Sequence, residues 1–211
     1  MKEYKLPIGC DVPETIILAD GDFPSHPLAL EWLRQCPYVV CCDGAANTYI
    51  RSGRMPEAIV GDGDSLLPDI KERYASLIHS EAEQETNDLS KAFRFCLSQE
   101  RKRITIMGAT GKREDHTIGN VSLLADYMEQ AEVSMMTDYG IFVPIREDSM
   151  FESYIGQQIS VFNMNSTALS AEGLAYPLSV FTNWWQWTLN EALARHFIIR
   201  TEGKVLVFRV F

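Results

Sequence analysis

Short apolar runs rich in β-branched residues alternate with helix-forming segments over the first two-thirds of the chain. The runs lie at residues 15–19, 38–42, 58–60 and 104–107, and each is followed by a turn containing glycine or aspartate. Amphipathic patterns typical of helices lie between them, as at residues 28–35 and 89–97. Repeated strand–helix units of this kind predict a mostly parallel sheet with helices on both faces.

The pattern changes after about residue 133, where short strands replace the strand–helix units. The expected strands cover residues 133–136, 141–145, 159–163, 168–171 and 205–210, with glycine and proline between them. Such a series predicts a smaller β-sandwich-like domain. We therefore expect an α/β domain over residues 1–140 and a β-rich domain over residues 141–211.

The charge and composition of the chain argue against several classes of partner. The 211 residues carry a formal net charge of −10 without a long basic run, whereas binding to a nucleic-acid backbone needs many cations. No segment reaches the roughly 20 apolar residues of a membrane span, and the N-terminus lacks an apolar signal region. The 5 cysteines, without framework spacing, favour a reducing compartment, so we expect a cytoplasmic protein.

Acidic residues recur where strands are expected to end. Asp62 and Asp64 stand on a glycine-rich turn after one apolar run, Asp43 follows the preceding run, Asp88 opens a helix, and Asp115 follows a later strand. The carboxyl ends of parallel strands share one edge of the sheet, where ligands bind. Clustered carboxylates repel one another unless a cation offsets their charge, and Mg²⁺ prefers oxygen ligands. The sequence therefore predicts a site for Mg²⁺ and phosphate.

Each acid also has a simpler interpretation when it is taken alone. Asp43 could be a turn residue or a helix N-cap, and Asp88 could lie in a first helical turn because the helix dipole favours it there. The standard phosphate motifs do not apply. Residues 108–113 are not a Walker loop, because Ile106 and Arg113 occupy positions that need glycine and serine or threonine.

Several segments, in this order along the chain, resemble the thiamine pyrophosphokinase family. They are Asp43-Gly44-Ala45-Ala46-Asn47, Gly61-Asp62-Gly63-Asp64-Ser65, Gln84 with Thr86-Asn87-Asp88 and Lys91, and Gly108-Ala109-Thr110-Gly111 with Arg113, Asp115 and His116. The later segments Gly173–Leu178 and Asn190-Glu191 resemble the C-terminal domain of that family. The similarity covers most of the chain, from about residue 16 to residue 210.

The resemblance implies transfer of a pyrophosphoryl group from ATP to the hydroxyl of thiamine, which yields thiamine diphosphate and AMP with the help of Mg²⁺. It implies an α/β domain that binds the nucleotide and the metal, and a β-rich domain that binds thiamine and forms a homodimer. In this family the active site lies between the α/β domain of one subunit and the β-rich domain of the other.

The resemblance also implies roles for individual residues of this sequence. The expected metal ligands are Asp43, Asp62, Asp64 and Asp88, and the expected catalytic residues are Asp64, Asp88, Lys91, Arg113 and Asp115. Asp64 or Asp88 would accept the hydroxyl proton. The expected nucleotide-binding residues are Asp43, Gly44, Gln84, Gly108, Ala109, Thr110 and Arg113. The expected thiamine-binding residues are Tyr176, Trp187, Thr188 and Asn190, where Thr188 supplies a hydroxyl because Leu189 replaces a family serine.

Two alternatives stay open at this point. The donor chemistry could serve another heterocyclic alcohol, such as a hydroxymethylpterin. The chain could also be a regulator that binds a nucleotide or thiamine without catalysis. The full set of acids together with Arg113 favours catalysis, because binding alone needs fewer aligned carboxylates.

Overall fold

A computed structural model describes residues 1–7, 11–81 and 85–211 of the chain. Its strands are β1 Lys2–Tyr4, β2 Thr15–Leu18, β3 Val39–Cys42, β4 Ala58–Gly61, β5 Ile78–Ser80, β6 Arg103–Met107, β7 Glu132–Met136, β8 Gly140–Ile145, β9 Ser149–Glu152, β10 Gln158–Asn163, β11 Leu169–Glu172, β12 Asn190–Glu191, β13 His196–Thr201 and β14 Val205–Val210. Its α-helices are α1 Pro27–Gln35, α2 Ala45–Arg51, α3 Pro68–Arg73, α4 Asp88–Ser98 and α5 Glu114–Tyr127, with 3-10 turns at Ala75–Leu77 and Trp184–Trp187. The chain divides into two compact units, Gly9–Asp138 and Met1–Ile8 with Tyr139–Phe211.

The unit Gly9–Asp138 is an α/β domain, as predicted. Its strands pair in parallel in the order β7-β6-β2-β3-β4-β5. Every residue of β2, β3 and β4 is buried, which explains why these strands are continuous apolar runs rather than alternating ones. Leu18 of β2 is in register with Cys41 of β3 and with Met107 of β6, so the polar turns after these strands meet at one edge.

Helix α4 begins near that edge and packs one face into the core of the domain. Asn87 is its N-cap and accepts a hydrogen bond from the Ser90 backbone N–H at 3.0 Å. The buried face of the helix includes Leu89, Ala92, Phe93 and Cys96, which lie in the amphipathic segment 89–97. Phe93 stacks on Tyr127 of α5 with ring centroids 3.9 Å apart, which holds the two helices together.

The second unit is rich in strands, as predicted, and contains two layers. One layer pairs its strands in the order β1-β9-β13-β11, and the other contains β12, β10, β14 and β8 in that order. Both layers contribute to one buried apolar core. In it, the rings of Phe151 and Phe197 stack on each other with centroids 5.0 Å apart, and Val161 and Val207 belong to the same cluster. This arrangement is a β-sandwich.

The first residues of the chain lie in the second unit, although the sequence placed them in the α/β domain. Strand β1 pairs in parallel with β9, the buried guanidinium of Arg209 donates to the Lys5 carbonyl at 2.9 Å, and Glu152 accepts from the Leu6 N–H at 3.1 Å. A strand of 3 residues has too short an apolar pattern to be read from the sequence. Strands β9 and β13 were also not predicted. None of the helices in the described part of the chain is long and apolar enough to cross a membrane.

Candidate active site

A cavity of about 440 Å³ lies at the carboxyl ends of the parallel strands of the α/β unit. Its lining comes from the turns after β2, β3, β4 and β6 and from the first turns of α4 and α5. The lining residues are Ala19, Asp20, Gly21, Cys42, Asp43, Gly44, Asp62, Ser65, Thr86, Asn87, Asp88, Leu89, Lys91, Ala109, Gly111, Lys112, Arg113, His116 and Asn120. Polar and charged groups of both signs therefore converge on one space.

The acid cluster of this cavity consists of Asp43, Asp62 and Asp64. One carboxylate oxygen from each lies within 4.8 Å of the others. Asp43 is 3% exposed, and one of its oxygens accepts the Ser65 N–H at 3.0 Å. Its other oxygen, Oδ1, is buried and has no hydrogen-bond partner among the described residues. A buried acceptor without a donor is costly, and a hard cation such as Mg²⁺ would satisfy it, so the cluster fits such an ion.

The ionisation of Asp43 reflects this crowding. Burial, together with the neighbouring Asp64, Asp88 and Asp62, raises the pKa of its carboxyl to about 6, while the Ser65 N–H opposes the shift. A bound cation would reverse the effect by favouring the charged form. Perturbed pKa values cluster at functional sites, so the Asp43 carboxyl is a candidate ligand-binding group.

Asp88 lies beside the acid cluster but is not part of it. A Cβ on Gly61 would lie 2.8 Å from the Asp43 Cβ and 3.4 Å from the Asp88 Cγ, so only glycine lets the end of β4 approach both acids. Asp88 accepts a hydrogen bond from the buried ammonium of Lys91 at 3.1 Å. Lys91 therefore offsets the charge of Asp88 inside the cavity.

Two further cations that line the cavity lie in the loop between β6 and α5. Lys112 donates to the Asp20 carbonyl at 2.8 Å and to its carboxylate at 3.1 Å. Arg113 forms a bidentate pair with Asp115, at 3.1 Å and 2.6 Å, which raises the pKa of Arg113 and lowers that of Asp115. Both partners of that pair are well exposed, so it orients the guanidinium more than it stabilises the fold.

Most of the site residues predicted in this domain meet at the cavity. Those that line it are Asp43, Gly44, Asp62, Asp88, Lys91, Ala109 and Arg113. Asp64 belongs to the acid cluster without lining the cavity, and Gly108, Thr110 and Asp115 are next to lining residues in the chain. Gln84 lies outside the described residues.

Several residues that line the cavity were not predicted from the sequence. Asp20 follows β2 as Asp43 follows β3, so its position at a strand end was a usable signal. His116 and Asn120 are four residues apart on α5 and share a face of that helix. Lys112 had no comparable signal, because its pairing with Asp20 joins two loops that are distant in sequence.

Most of the thiamine-binding residues predicted in the β-rich unit form side-chain hydrogen bonds to nearby backbone groups of their own chain. Asn190 is 1% exposed, accepts the Tyr176 N–H at 3.0 Å and donates to the Tyr176 carbonyl at 2.8 Å. Its oxygen also accepts the Glu191 N–H at 2.9 Å. Asn190 therefore holds the backbone of Tyr176, whose side chain is 60% exposed.

Trp187 and Thr188 are engaged in a similar way. The indole N–H of Trp187 donates to the Ser179 carbonyl at 3.1 Å, and its ring meets Phe181 edge-on at 6.0 Å. The Thr188 hydroxyl donates to the Trp185 carbonyl at 2.9 Å. These contacts build the segment that carries Tyr176.

Both units match models of known protein families. Residues 29–136 match the model described as "Thiamin pyrophosphokinase, catalytic domain". Residues 140–208 match the model described as "Thiamin pyrophosphokinase, substrate-binding domain". The first match lies in the unit with the acid cluster, and the second lies in the β-rich unit.

Curated relatives have related names. Thiamine pyrophosphokinase 1 of Oryza sativa subsp. japonica is 30% identical, over 49% of this chain and 49% of the relative. Thiamine pyrophosphokinase of Bacillus subtilis is 34% identical, over 39% of this chain and 40% of the relative. The chain spans about half the length of the curated relatives it matches first.

Solved structures share the fold. The thiamin pyrophosphokinase from Candida albicans superposes with a TM-score of 0.81 at 18% identity, over 100% of this chain and 93% of that one. The enzyme of that name from Bacillus subtilis superposes with a TM-score of 0.78 at 21% identity, over 93% of this chain and 98% of that one. Because the two family models cover most of its sequence, the chain belongs to the thiamin pyrophosphokinase family.

Proposed function

We propose that the protein transfers a pyrophosphoryl group from ATP to the hydroxyl of thiamine and releases thiamine diphosphate and AMP. The observation that carries this proposal is the acid cluster of Asp43, Asp62 and Asp64, in which Asp43 and Asp62 line the same cavity as the cations Lys91 and Arg113. Phosphoryl transfer needs positioning and charge neutralisation more than covalent chemistry. Membership of the family points to thiamine as the acceptor.

The acid cluster would hold Mg²⁺. When bound, the ion would neutralise charge on the phosphates of ATP. Asp43 is buried, Asp62 is half-buried and Asp64 is exposed, and each supplies one oxygen to the cluster. Asp88 lies next to the cluster as a fourth predicted ligand, and either Asp64 or Asp88 would accept the proton that leaves the thiamine hydroxyl.

The cations act on the transferring group. Lys91 and Arg113 would stabilise negative charge on the pyrophosphoryl group and on the departing AMP. Asp115 holds the Arg113 guanidinium by its two hydrogen bonds and would keep it oriented. Gly44 at the start of α2 and the backbone N–H groups of residues 108–110 would approach phosphate oxygens.

The acceptor would bind to the β-rich unit. The exposed ring of Tyr176 offers a face to the flat, cationic thiamine. Asn190, Thr188 and Trp187 would shape that site by holding the segment in place. A homodimer, with each acceptor site completed by the partner subunit, and a cytoplasmic location remain predictions.

A product assay tests the reaction directly. The protein is incubated with ATP, Mg²⁺ and thiamine, and the products are separated by anion-exchange chromatography. We expect thiamine diphosphate and AMP in equal amounts, and no AMP when a hydroxymethylpterin replaces thiamine. Thiamine monophosphate with ADP would overturn the mechanism, and no product at all would favour a regulator that only binds.

Mixing two impaired variants, at a thiamine concentration well below the KM, tests the shared site. One variant carries Asp64→Asn in the α/β unit and the other carries Tyr176→Ala in the β-rich unit. If each site draws on two subunits, the mixture forms some unchanged sites, and its activity exceeds the mean of the two variants. A mixture whose activity equals that mean would contradict a shared site.

A further inference from the structure

The loop between β6 and α5 has an unusual division of its backbone groups. All four carbonyls of residues 108–111 accept hydrogen bonds: Gly108 from the Gly21 N–H at 2.6 Å, Ala109 from the Asn120 amide at 2.8 Å, Thr110 from the Asp22 N–H at 2.8 Å, and Gly111 from the Arg113 N–H at 2.7 Å. The N–H groups of residues 109–111 make no hydrogen bond to any residue that the structure describes. The loop therefore offers donors, not acceptors, to a ligand.

This division favours an anion over any neutral or cationic ligand. Gly108 and Gly111 adopt positive φ values of 64° and 79°, so the loop is a turn with a left-handed residue at each end. Backbone N–H groups arranged in this way form an anion-binding concavity. A carbonyl turned into the same space would repel phosphate oxygens, so holding the carbonyls away is as important as presenting the N–H groups.

Four groups donate hydrogen bonds to the carbonyls of residues 108–111, and one of them is a side chain, the amide of Asn120. Its oxygen accepts a hydrogen bond from the Asn87 amide at 3.1 Å, and the Asn87 oxygen accepts the Ser90 N–H at 3.0 Å as the N-cap of α4. The same helix carries Asp88 and Lys91. A chain of two amides thus connects the first turn of α4 with the Ala109 carbonyl.

We propose that Asn120 is a positioning residue for a polyphosphate, which on the proposed function is the triphosphate of ATP. A peptide unit is planar, with its carbonyl and the following N–H on opposite sides. By holding the Ala109 carbonyl, Asn120 fixes the Thr110 N–H of the same peptide. Through Asn87 it also fixes the distance between this loop and the Asp88–Lys91 pair.

Binding of inorganic tripolyphosphate in the presence of Mg²⁺, measured by calorimetry, tests the proposal without any turnover. Asn120→Ala removes the donor and should weaken binding about tenfold, which is about 1.4 kcal/mol. Asn120→Asp keeps the acceptor for Asn87 but cannot donate to Ala109 and adds a negative charge, so it should weaken binding more. Ser122→Ala, on the same helix, is the matched control and should bind within about twofold of the unchanged protein.

Two further measurements separate positioning from a general loss of structure. Asn87→Asp keeps the N-cap of α4 but removes the donor to Asn120, and should weaken tripolyphosphate binding with unchanged thermal unfolding. In the complete reaction, Asn120→Ala should raise the KM for ATP and leave the KM for thiamine within about twofold.

The proposal is overturned if Asn120→Ala binds tripolyphosphate as tightly as the unchanged protein, or if both KM values rise together. It is also overturned if the unchanged protein does not bind tripolyphosphate. A protein that binds tripolyphosphate but forms no thiamine diphosphate would refute the proposed function alone, so the two failures are distinguishable.

Discussion

The cavity of the α/β unit and the Tyr176–Asn190 segment of the β-rich unit use polar side chains in opposite ways. In the cavity, Asp43 has a buried oxygen without a partner among the described residues. In the segment, both ends of the Asn190 amide and the Thr188 hydroxyl are bound to backbone groups nearby. The first region leaves the Asp43 Oδ1 without a donor from the described residues, whereas the second uses its polar groups to hold its own shape.

This difference separates two ways in which a polar residue serves a binding site. A carboxylate that faces other carboxylates costs stability and is retained for what it binds. A buried amide that satisfies three backbone groups contributes stability and acts on a ligand only through the residue it holds. Asp43 is an example of the first kind and Asn190 of the second.

The largest expected effect is a loss of turnover in Asp64→Asn, because the change removes one charge from the acid cluster. A charge-stabilising group in such sites is worth about 3–4 kcal/mol, so AMP release should fall about 100-fold or more. The matched control is Asp69→Asn, an exposed acid in the first turn of α3, which should keep nearly full turnover. Near-normal activity of Asp64→Asn, with an unchanged circular dichroism spectrum, would remove Asp64 from the site.

Asn190→Ala should affect stability more than chemistry. It leaves the N–H and carbonyl of Tyr176 and the N–H of Glu191 without their partner, and the free energy of unfolding should fall by about 2–4 kcal/mol. Urea unfolding measures this loss. The exposed Asn183 offers a matched change, and Asn183→Ala should cost about 1 kcal/mol or less. Equal losses in the two variants would show that Asn190 does not hold the segment.

Asp43→Asn should stabilise the metal-free protein. The pKa of Asp43 is raised to about 6 in the folded state, so its stabilising contribution is complete below the unfolded value near 4 and is lost as the pH rises through 6. Asparagine keeps an acceptor for the Ser65 N–H without that loss. At pH 7 the gain should be about 2–3 kcal/mol.

Unfolding at several pH values in the presence of a chelator checks this expectation. The advantage of Asp43→Asn should grow from pH 4 to pH 6 and then level off. If the variant were less stable than the unchanged protein at pH 7, the carboxylate would have to be a stabilising group, and the contrast with Asn190 would fail.

Thr188→Val should have the smallest effect, because the Thr188 hydroxyl already donates to the Trp185 carbonyl. A single hydrogen bond is worth about 1 kcal/mol, and its loss here should leave the KM for thiamine within about threefold. Tyr176→Ala, which removes the exposed ring, should raise that KM about tenfold. If the two variants raised the KM equally, the hydroxyl would have to face the substrate.

The sequence predicted best what the sheet topology determines. Strands β2, β3 and β4 are short buried runs, and parallel strands bring the residues after them to one edge, so Asp43, Asp62 and Asp88 could be placed near one another. The sequence could not predict pairs between distant loops, such as Lys112 with Asp20, because no local pattern specifies them. It also could not show that the Asn190 side chain turns inward, because asparagine suits a ligand and a buried backbone equally well.

Strand β1 has a consequence for the order in which the chain acquires its structure. The α/β unit is one continuous stretch, Gly9–Asp138, and its strands β2 to β7 pair with one another in parallel. The strand Lys2–Tyr4, in contrast, pairs with β9 at Ser149–Glu152, and the adjoining Lys5 carbonyl accepts a hydrogen bond from Arg209. Both partners come much later in the chain. Contacts between residues so distant in sequence form slowly and late. On a ribosome, the cavity would therefore be assembled while the earliest residues of the chain are still unpaired.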